Sequence, residues 1–202
     1  GLKDEVDVYF DDRLVPHIFA KNDEDLYYMQ GYITARFRLW QMEVQTHNAA
    51  GRVSEIVGEA ALEADKMQRR IGLEHGARIA EEYIRKDEGS RKLIEAYCNG
   101  INAYISTLKP KNYPVEYKLL NYQPERWAPI KVALLLKNMA NMLSVFEWDI
   151  ESSNFIATYG WDAYRQLFPD FIDKEDPIIP IGTKWDFDAT AKADVGMKNL
   201  MA

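Results

Sequence analysis

Cysteine is nearly absent. The 202-residue chain has one, Cys98, so it forms no internal disulfide and offers no paired-thiol spacing for metal or redox chemistry. Histidine is almost as scarce: His17, His47 and His75 lie in separate segments without ligand spacing, which leaves surface or structurally bonded imidazoles as the reading for each. H-E-x-x-H, G-x-S-x-G, the Walker loop and G-x-G-x-x-G are all missing, and with them the usual signatures of metalloprotease, serine-hydrolase and nucleotide-binding sites. Positive charge is also in deficit. Lys+Arg number 25 against 32 Asp+Glu, a net charge of −7 and an isoelectric point near 5.1, so nucleic acid is not an expected partner. Long apolar runs are missing too, because Lys137 interrupts the richest region, Val132 to Met142, well short of the roughly 20 residues a bilayer-crossing helix needs. No membrane partner is expected. The chain opens Gly1-Leu2 with no basic-plus-apolar leader, and a secretory signal is expected to be absent or already removed.

What is present suits a packed core: 47% of residues are apolar and 28% charged, which excludes disorder for most of the chain. Val6, Val8 and Phe10 alternate with Asp7 and Tyr9 as a half-buried strand does, a turn follows at Asp11-Asp12-Arg13, and Pro16 leads into a second extended segment through Ala20. A long helix opens near Asn22 with Asp23, Glu24 and Asp25 in its first turn. Leu26, Met29, Ile33, Phe37, Trp40 and Val44 give it one apolar stripe, and Gly51 ends it. Further helical patterns cover Val53 to Val57, Leu62 to Ile71, Ala77 to Arg85, Ser90 to Leu108, Val115 to Tyr122, Val132 to Leu143 and Asp149 to Tyr159. The acidic pairs Asp11-Asp12 and Glu81-Glu82 read as solvated faces rather than acid/base dyads.

These patterns divide the chain into a helical domain with N-terminal strands, residues 1–168, and a C-terminal arm, 169–202, with Pro177 and Pro180 in an apolar loop and a weakly patterned tail from Asp186 to Ala202. Two short strands do not make an independent sheet. They must pair with strands from elsewhere, and an aromatic content of 12%, including five Trp, suits a large buried interface.

Five motif blocks, read in order, carry a family resemblance. Asp12-Arg13-Leu14-Val15-Pro16-His17-Ile18 resembles the D-x-G-x-P-H-I opening of the penicillin acylase family. Gln30-Gly31-Tyr32 with Ala35 to Glu43 resembles its G-Y-x-x-A-x-D-R-L-x-Q-M-E helix, and Gly51 to Gly58, with Asp65 and Arg69-Arg70, its next block. Tyr97 to Ile105 resembles A-x-G-x-N-A-x-I, and Pro124 to Pro129 resembles P-x-x-W-x-P. Leu14 stands where the family often has Gly, and Phe37 where it often has Asp.

The resemblance implies an α+β fold in which this mostly helical chain is the α subunit, completing the four-layer αββα sandwich of N-terminal nucleophile hydrolases together with a β chain from the same precursor. It implies an obligate heterodimer with no catalytic residue in this chain, the nucleophile being a Ser at the N-terminus of the β chain whose α-amine is the general base. The reaction implied is hydrolysis of a hydrophobic N-acyl amide, such as a β-lactam side chain or an N-acyl homoserine lactone, in the periplasm or outside the cell.

The resemblance also implies substrate-binding positions at Met139, Met142 and Leu143, where a cationic and an aromatic side chain of the family are replaced by Met142 and Leu143, and a structural Ca2+ shared with the β chain at Asp149 with Glu151 beside it. Without the resemblance, the Met-Leu cluster is ordinary core and Asp149 is a helix-opening acid. The competing expectation is a non-catalytic helical interaction protein that retains only the fold.

Overall fold

A computed structural model describes residues 1–144, 148–169, 178–180 and 182–184. It has two compact units, Gly1–Val145 and Phe146–Ala202. Pro177 and the tail from Asp186 to Ala202, most of the expected arm, lie outside the described residues. The first unit begins with an antiparallel hairpin, β1 (Asp7–Phe10) and β2 (Pro16–Phe19), in the register Val8↔Ile18 and Tyr9↔His17. Helices follow as α1 (Asp23–Ala50), α2 (Ser54–Val57), α3 (Leu62–Ile71), α4 (Leu73–Lys86), α5 (Glu88–Thr107), α6 (Val115–Leu119) and α7 (Pro129–Leu143), with short 3-10 turns at Gly58–Ala61 and Pro110–Asn112. The second unit contains α8 (Asp149–Leu167). No helix among the described residues is long and apolar enough to cross a membrane.

The hairpin turn explains the first departure from the family pattern. Asp11 Oδ1 accepts from the amides of Arg13 and Val15 at 2.9 and 2.8 Å, which curls the loop until Leu14 takes a φ of 60°. That left-handed conformation costs an L-residue about 1–2 kcal/mol, and glycine adopts it freely. Leu14 is exposed and loses no packing on truncation. Leu14→Gly is therefore expected to raise stability by up to about 1 kcal/mol, the relief being partly offset by glycine's greater unfolded-state freedom; the midpoint of thermal unfolding checks it.

Helix α1 is capped as expected, Asn22 Oδ1 accepting from the Asp25 amide at 2.9 Å and Gly51 closing the end at φ 63°. Asp25 is itself buried and accepts from the amides of Lys3 and Asp4, both at 2.8 Å, which ties the N-terminal segment to the helix and holds the Asp25 carboxyl below the usual range. The buried face of α1 is not the stripe of large apolar residues. At Arg38 the backbone leaves helical geometry (φ −134°, ψ 17°), and beyond it the buried positions are Leu39, Met42, Glu43, Thr46, His47, Ala49 and Ala50. Phe37, expected on the stripe, is 49% exposed and meets Phe10 of β1 edge-on at 5.9 Å.

Packing of α1 on α5 forms the main core, where Ala35, Leu39, Met42, Cys98 and Ile101 meet Tyr117 and Trp127. A second core of Ala49, Ala50, Ala77, Ala133 and Leu134 joins α1, α4 and α7. The α1–α5 crossing is close because two glycines face the opposite backbone: Gly31 lies under Tyr97, and Gly100 under Tyr28. Helices α4 and α7 start earlier than their apolar periodicity suggests, α7 because Pro129 at its first turn is preset for helical φ. Helix α8 continues past Tyr159, with Gly160 (φ 84°) as a break inside it rather than its end.

Candidate functional site

Helix α7 changes character along its length. Its first half is core, with Lys131, Ala133 and Leu134 buried. Its second half leaves the core: Met139, Met142 and Leu143 are 53%, 59% and 79% exposed, and Leu136 extends the apolar surface one turn back. The structure therefore brings the three substrate-binding candidates together on one helix end, exposed in this chain. An apolar helix end in water marks an interaction or ligand surface more often than a free one.

The start of α7 is held by a buried charge cluster. Lys131 Nζ donates to Glu43 Oε1 at 2.6 Å and to Glu125 Oε2 at 2.8 Å. Glu43 is fully buried on α1 and also accepts from the Glu125 amide at 3.1 Å, with the Tyr117 hydroxyl 3.4 Å away. Burial, reinforced by Glu43, pushes the Tyr117 phenol well above its usual range. One turn along α1, His47 Nδ1 lies 3.0 Å from the Glu43 carbonyl oxygen and Nε2 lies 3.1 Å from the Tyr122 hydroxyl. The carbonyl oxygen only accepts, so Nδ1 donates to it, and the Tyr122 hydroxyl bonds the other ring nitrogen. His47 is thus structurally bonded, as its sequence context suggested.

Arg52 closes the outer side, donating to Glu55 and, at 2.8 Å, to Glu125. The segment entering α7 is clamped as well, since Asn102 donates to the Trp127 carbonyl at 2.9 Å and accepts from the Trp127 amide at 2.8 Å.

Glu43, His47 and Glu125 are the three ligand-type side chains that converge among the described residues. The cation this group calls for is already supplied by the Lys131 ammonium and the Arg52 guanidinium, so the cluster reads as a structural tie between α1, residues 122–127 and α7. Burial pushes the Glu125 carboxyl up, but hydrogen bonds from Lys131 and Arg52 outweigh it and bring it from 4.5 to about 2. A depressed carboxyl stabilises the fold fully above its unfolded value, and the contribution is lost as pH falls from 4.5 towards 2. Glu125→Gln is expected to flatten the acid limb of stability against pH in that window, read from denaturation midpoints between pH 2 and 6.

Asp149 and Glu151 stand exposed in the first turn of α8. Two positions apart, they point about 160° from one another around the helix and do not converge on one point from this chain alone. Their oxygens suit a hard cation, and one or two carboxylates are a minority of the roughly six to eight oxygens calcium takes. Glu151 also borders a cavity of about 410 Å³ with Trp148, Ser152, Phe155, Tyr164 and Phe168. Cys98, the lone thiol, is buried in the main core, and burial pushes it up to about 12, so it is inert.

The charge cluster was missed by sequence reading because its members lie up to 88 residues apart. One local signal pointed to it: Lys131 sits in the first turn of α7, where the helix dipole disfavours a cation.

The family model described as penicillin amidase matches residues 5–188. The penicillin acylase 2 proenzyme of Pseudomonas sp. strain SE83 is 37% identical over 129 residues, 64% of this chain and 16% of that protein. An acyl-homoserine lactone acylase of Pseudomonas aeruginosa is 30% identical over 178 residues, 88% of this chain and 21% of that one. The chain thus spans at most about a fifth of these relatives' length. Among solved structures, the thermostable penicillin G acylase from Alcaligenes faecalis contains a chain of similar fold, with a TM-score of 0.66 at 26% identity, the match covering 90% of this chain and 97% of that one.

Proposed function

The chain belongs to the penicillin amidase family, and from that premise we propose that it is the α chain of an amidohydrolase for hydrophobic N-acyl amides, active only with a β chain from the same precursor. The observation that carries the reading is the exposed apolar end of α7 at Met139, Met142 and Leu143; in this reading they form one wall of a site whose remainder lies outside this chain. The Alcaligenes acylase supports the division, since 97% of one of its chains is matched by a chain of this length.

The reaction proposed is acyl transfer to water. The β-chain serine Oγ adds to the amide carbonyl while its proton passes to the α-amine of the same residue. Backbone donors hold the oxyanion, the C–N bond breaks, the proton moves on to the leaving nitrogen, and water repeats the sequence on the resulting ester. This chain's residues bind. Met139, Met142 and Leu143 take the acyl chain out of water, worth about 0.8 kcal/mol per buried methylene, and a thioether beside a branched aliphatic accepts varied acyl shapes. β-Lactam side chains and N-acyl homoserine lactones both fit that chemistry, and relatives of both kinds are matched. Asp149, with Glu151, would lend carboxylates to a calcium ion completed by the β chain, an ion that would brace the heterodimer. The proposed compartment is the periplasm or the exterior.

Native co-purification with intact-mass and N-terminal analysis tests the assembly. A larger partner beginning with Ser, together with hydrolysis of an N-acyl amide series, is the expected result. A solitary chain without hydrolysis would leave the non-catalytic interaction protein in its place. Met142→Phe in the heterodimer should change the ratio of kcat/KM for long against short acyl chains by about tenfold; an identical profile would remove Met142 from the wall.

A further inference from the structure

We infer that Lys131 and Asn138 are positioning residues for acyl-chain selectivity, acting through Met142 without touching substrate; the inference rests on the reading of Met142 as pocket wall. At about 3.6 residues per turn, Lys131, Asn138 and Met142, at i, i+7 and i+11, lie within about 20° of one face of α7. The face is anchored at its start, where Lys131 is gripped by the Glu43 and Glu125 carboxylates at 2.6 and 2.8 Å. It is buried in its middle, where Asn138 is 7% exposed, and it opens to solvent at Met142. Asn138 Nδ2 donates to Met142 Sδ at 3.8 Å, so the thioether's direction is set from the turn below.

Three observations separate this arrangement from plain core packing. A cation in the first turn works against the helix dipole, so Lys131 is not there to stabilise α7 as a helix. A buried ionic cluster seldom exceeds an apolar replacement in stability, and its best-attested use is to fix one register. A buried amide, Asn138, gives one of its donors to a methionine side chain, a weak acceptor that nonetheless fixes direction. Rotation of α7 about its axis would swing Met142, about 16 Å along the helix from Lys131 at 1.5 Å per residue. The charge cluster sets that rotation, and Asn138 sets the final side-chain direction.

The test uses the processed heterodimer and an N-acyl amide series of increasing chain length. Asn138→Leu keeps the volume and removes the donor; Glu43→Gln with Lys131→Met loosens the anchor while leaving no uncompensated pair. Each is expected to change the ratio of kcat/KM between neighbouring chain lengths by about fivefold, carried mostly in KM, with Asn138→Gln restoring part of the wild-type profile. Wild-type profiles in both variants, whatever their thermal midpoints, overturn the inference, and if Met142→Phe still alters the profile, the pocket reading survives that failure. A wild-type heterodimer that hydrolyses none of the series overturns the functional reading itself, and the positioning role with it.

Discussion

Gly100→Ala is expected to lower the thermal midpoint and the soluble yield sharply, and Gly31→Ala to act alike. A methyl group on Gly100 would sit 1.8 Å from the Tyr28 carbonyl oxygen, and one on Gly31 would sit 2.1 Å from that of Tyr97. Both obstacles are backbone atoms inside helices, so no rotamer change relieves them; α1 and α5 would have to separate by more than 1 Å over their whole contact. Overpacking of this kind costs about 3 kcal/mol or more, against a total domain stability of about 5–15 kcal/mol. Gly76 is the internal control. Its nearest neighbour is the flexible end of Lys137 at 3.6 Å, so Gly76→Ala in the interior of α4 should be neutral or stabilise by up to about 1 kcal/mol. Soluble yield and thermal midpoint of the three variants decide the matter; an unimpaired Gly100→Ala protein would mean that the crossing is looser than described.

The second large effect is expected at Lys131. Lys131→Met leaves Glu43 fully buried without its cation, a loss of about 3–5 kcal/mol. Adding Glu43→Gln should recover part of it, since the double variant buries no unpaired charge, although the Glu125 amide and Tyr117 hydroxyl then share a weaker acceptor. Denaturant midpoints of wild type, the two single variants and the double variant form a cycle with an expected coupling of at least about 1 kcal/mol. Additive losses would show that Lys131 and Glu43 stabilise the chain independently.

The elements were largely legible in the sequence because capping residues and apolar periodicity are local. Asn22 and Gly51 bound α1 as read, and the hairpin forms where Val6 to Phe10 alternates. What failed was phase. The stripe from Leu26 to Val44 follows the large apolar residues, whereas the buried series Gly31, Ala35, Leu39, Met42, Thr46 and Ala49 runs along a neighbouring face of small and polar as well as apolar residues on both sides of the departure at Arg38, and Phe37 turns to the hairpin. Neither proline nor glycine adjoins Arg38, so no local signal announced the break.

The candidate site divides in the same way. Met139, Met142 and Leu143 were placed through motif order alone, and they stand exposed at the end of α7. The cluster of Glu43, His47, Glu125 and Lys131 was not found, because pairing across tens of residues leaves no periodic trace. Its members nevertheless sit in or beside the motif blocks: Glu43 ends one, Glu125 lies within another and Lys131 follows it by two positions. Gly31 belongs to the block that Glu43 ends and Gly100 to a further one, and the crossing accounts for both.

The distance from Glu43 to Lys131 also sets an order of events during synthesis. At about 5–20 residues per second, a ribosome adds the intervening 88 residues in roughly 4–18 s. Throughout that interval the inward face of α1 carries a carboxylate whose ammonium partner has not yet been made, and water is its only adequate host. Burial of that face costs less once the start of α7 has emerged, so α1 is expected to close fully onto the core only when the element bearing the proposed substrate wall is present.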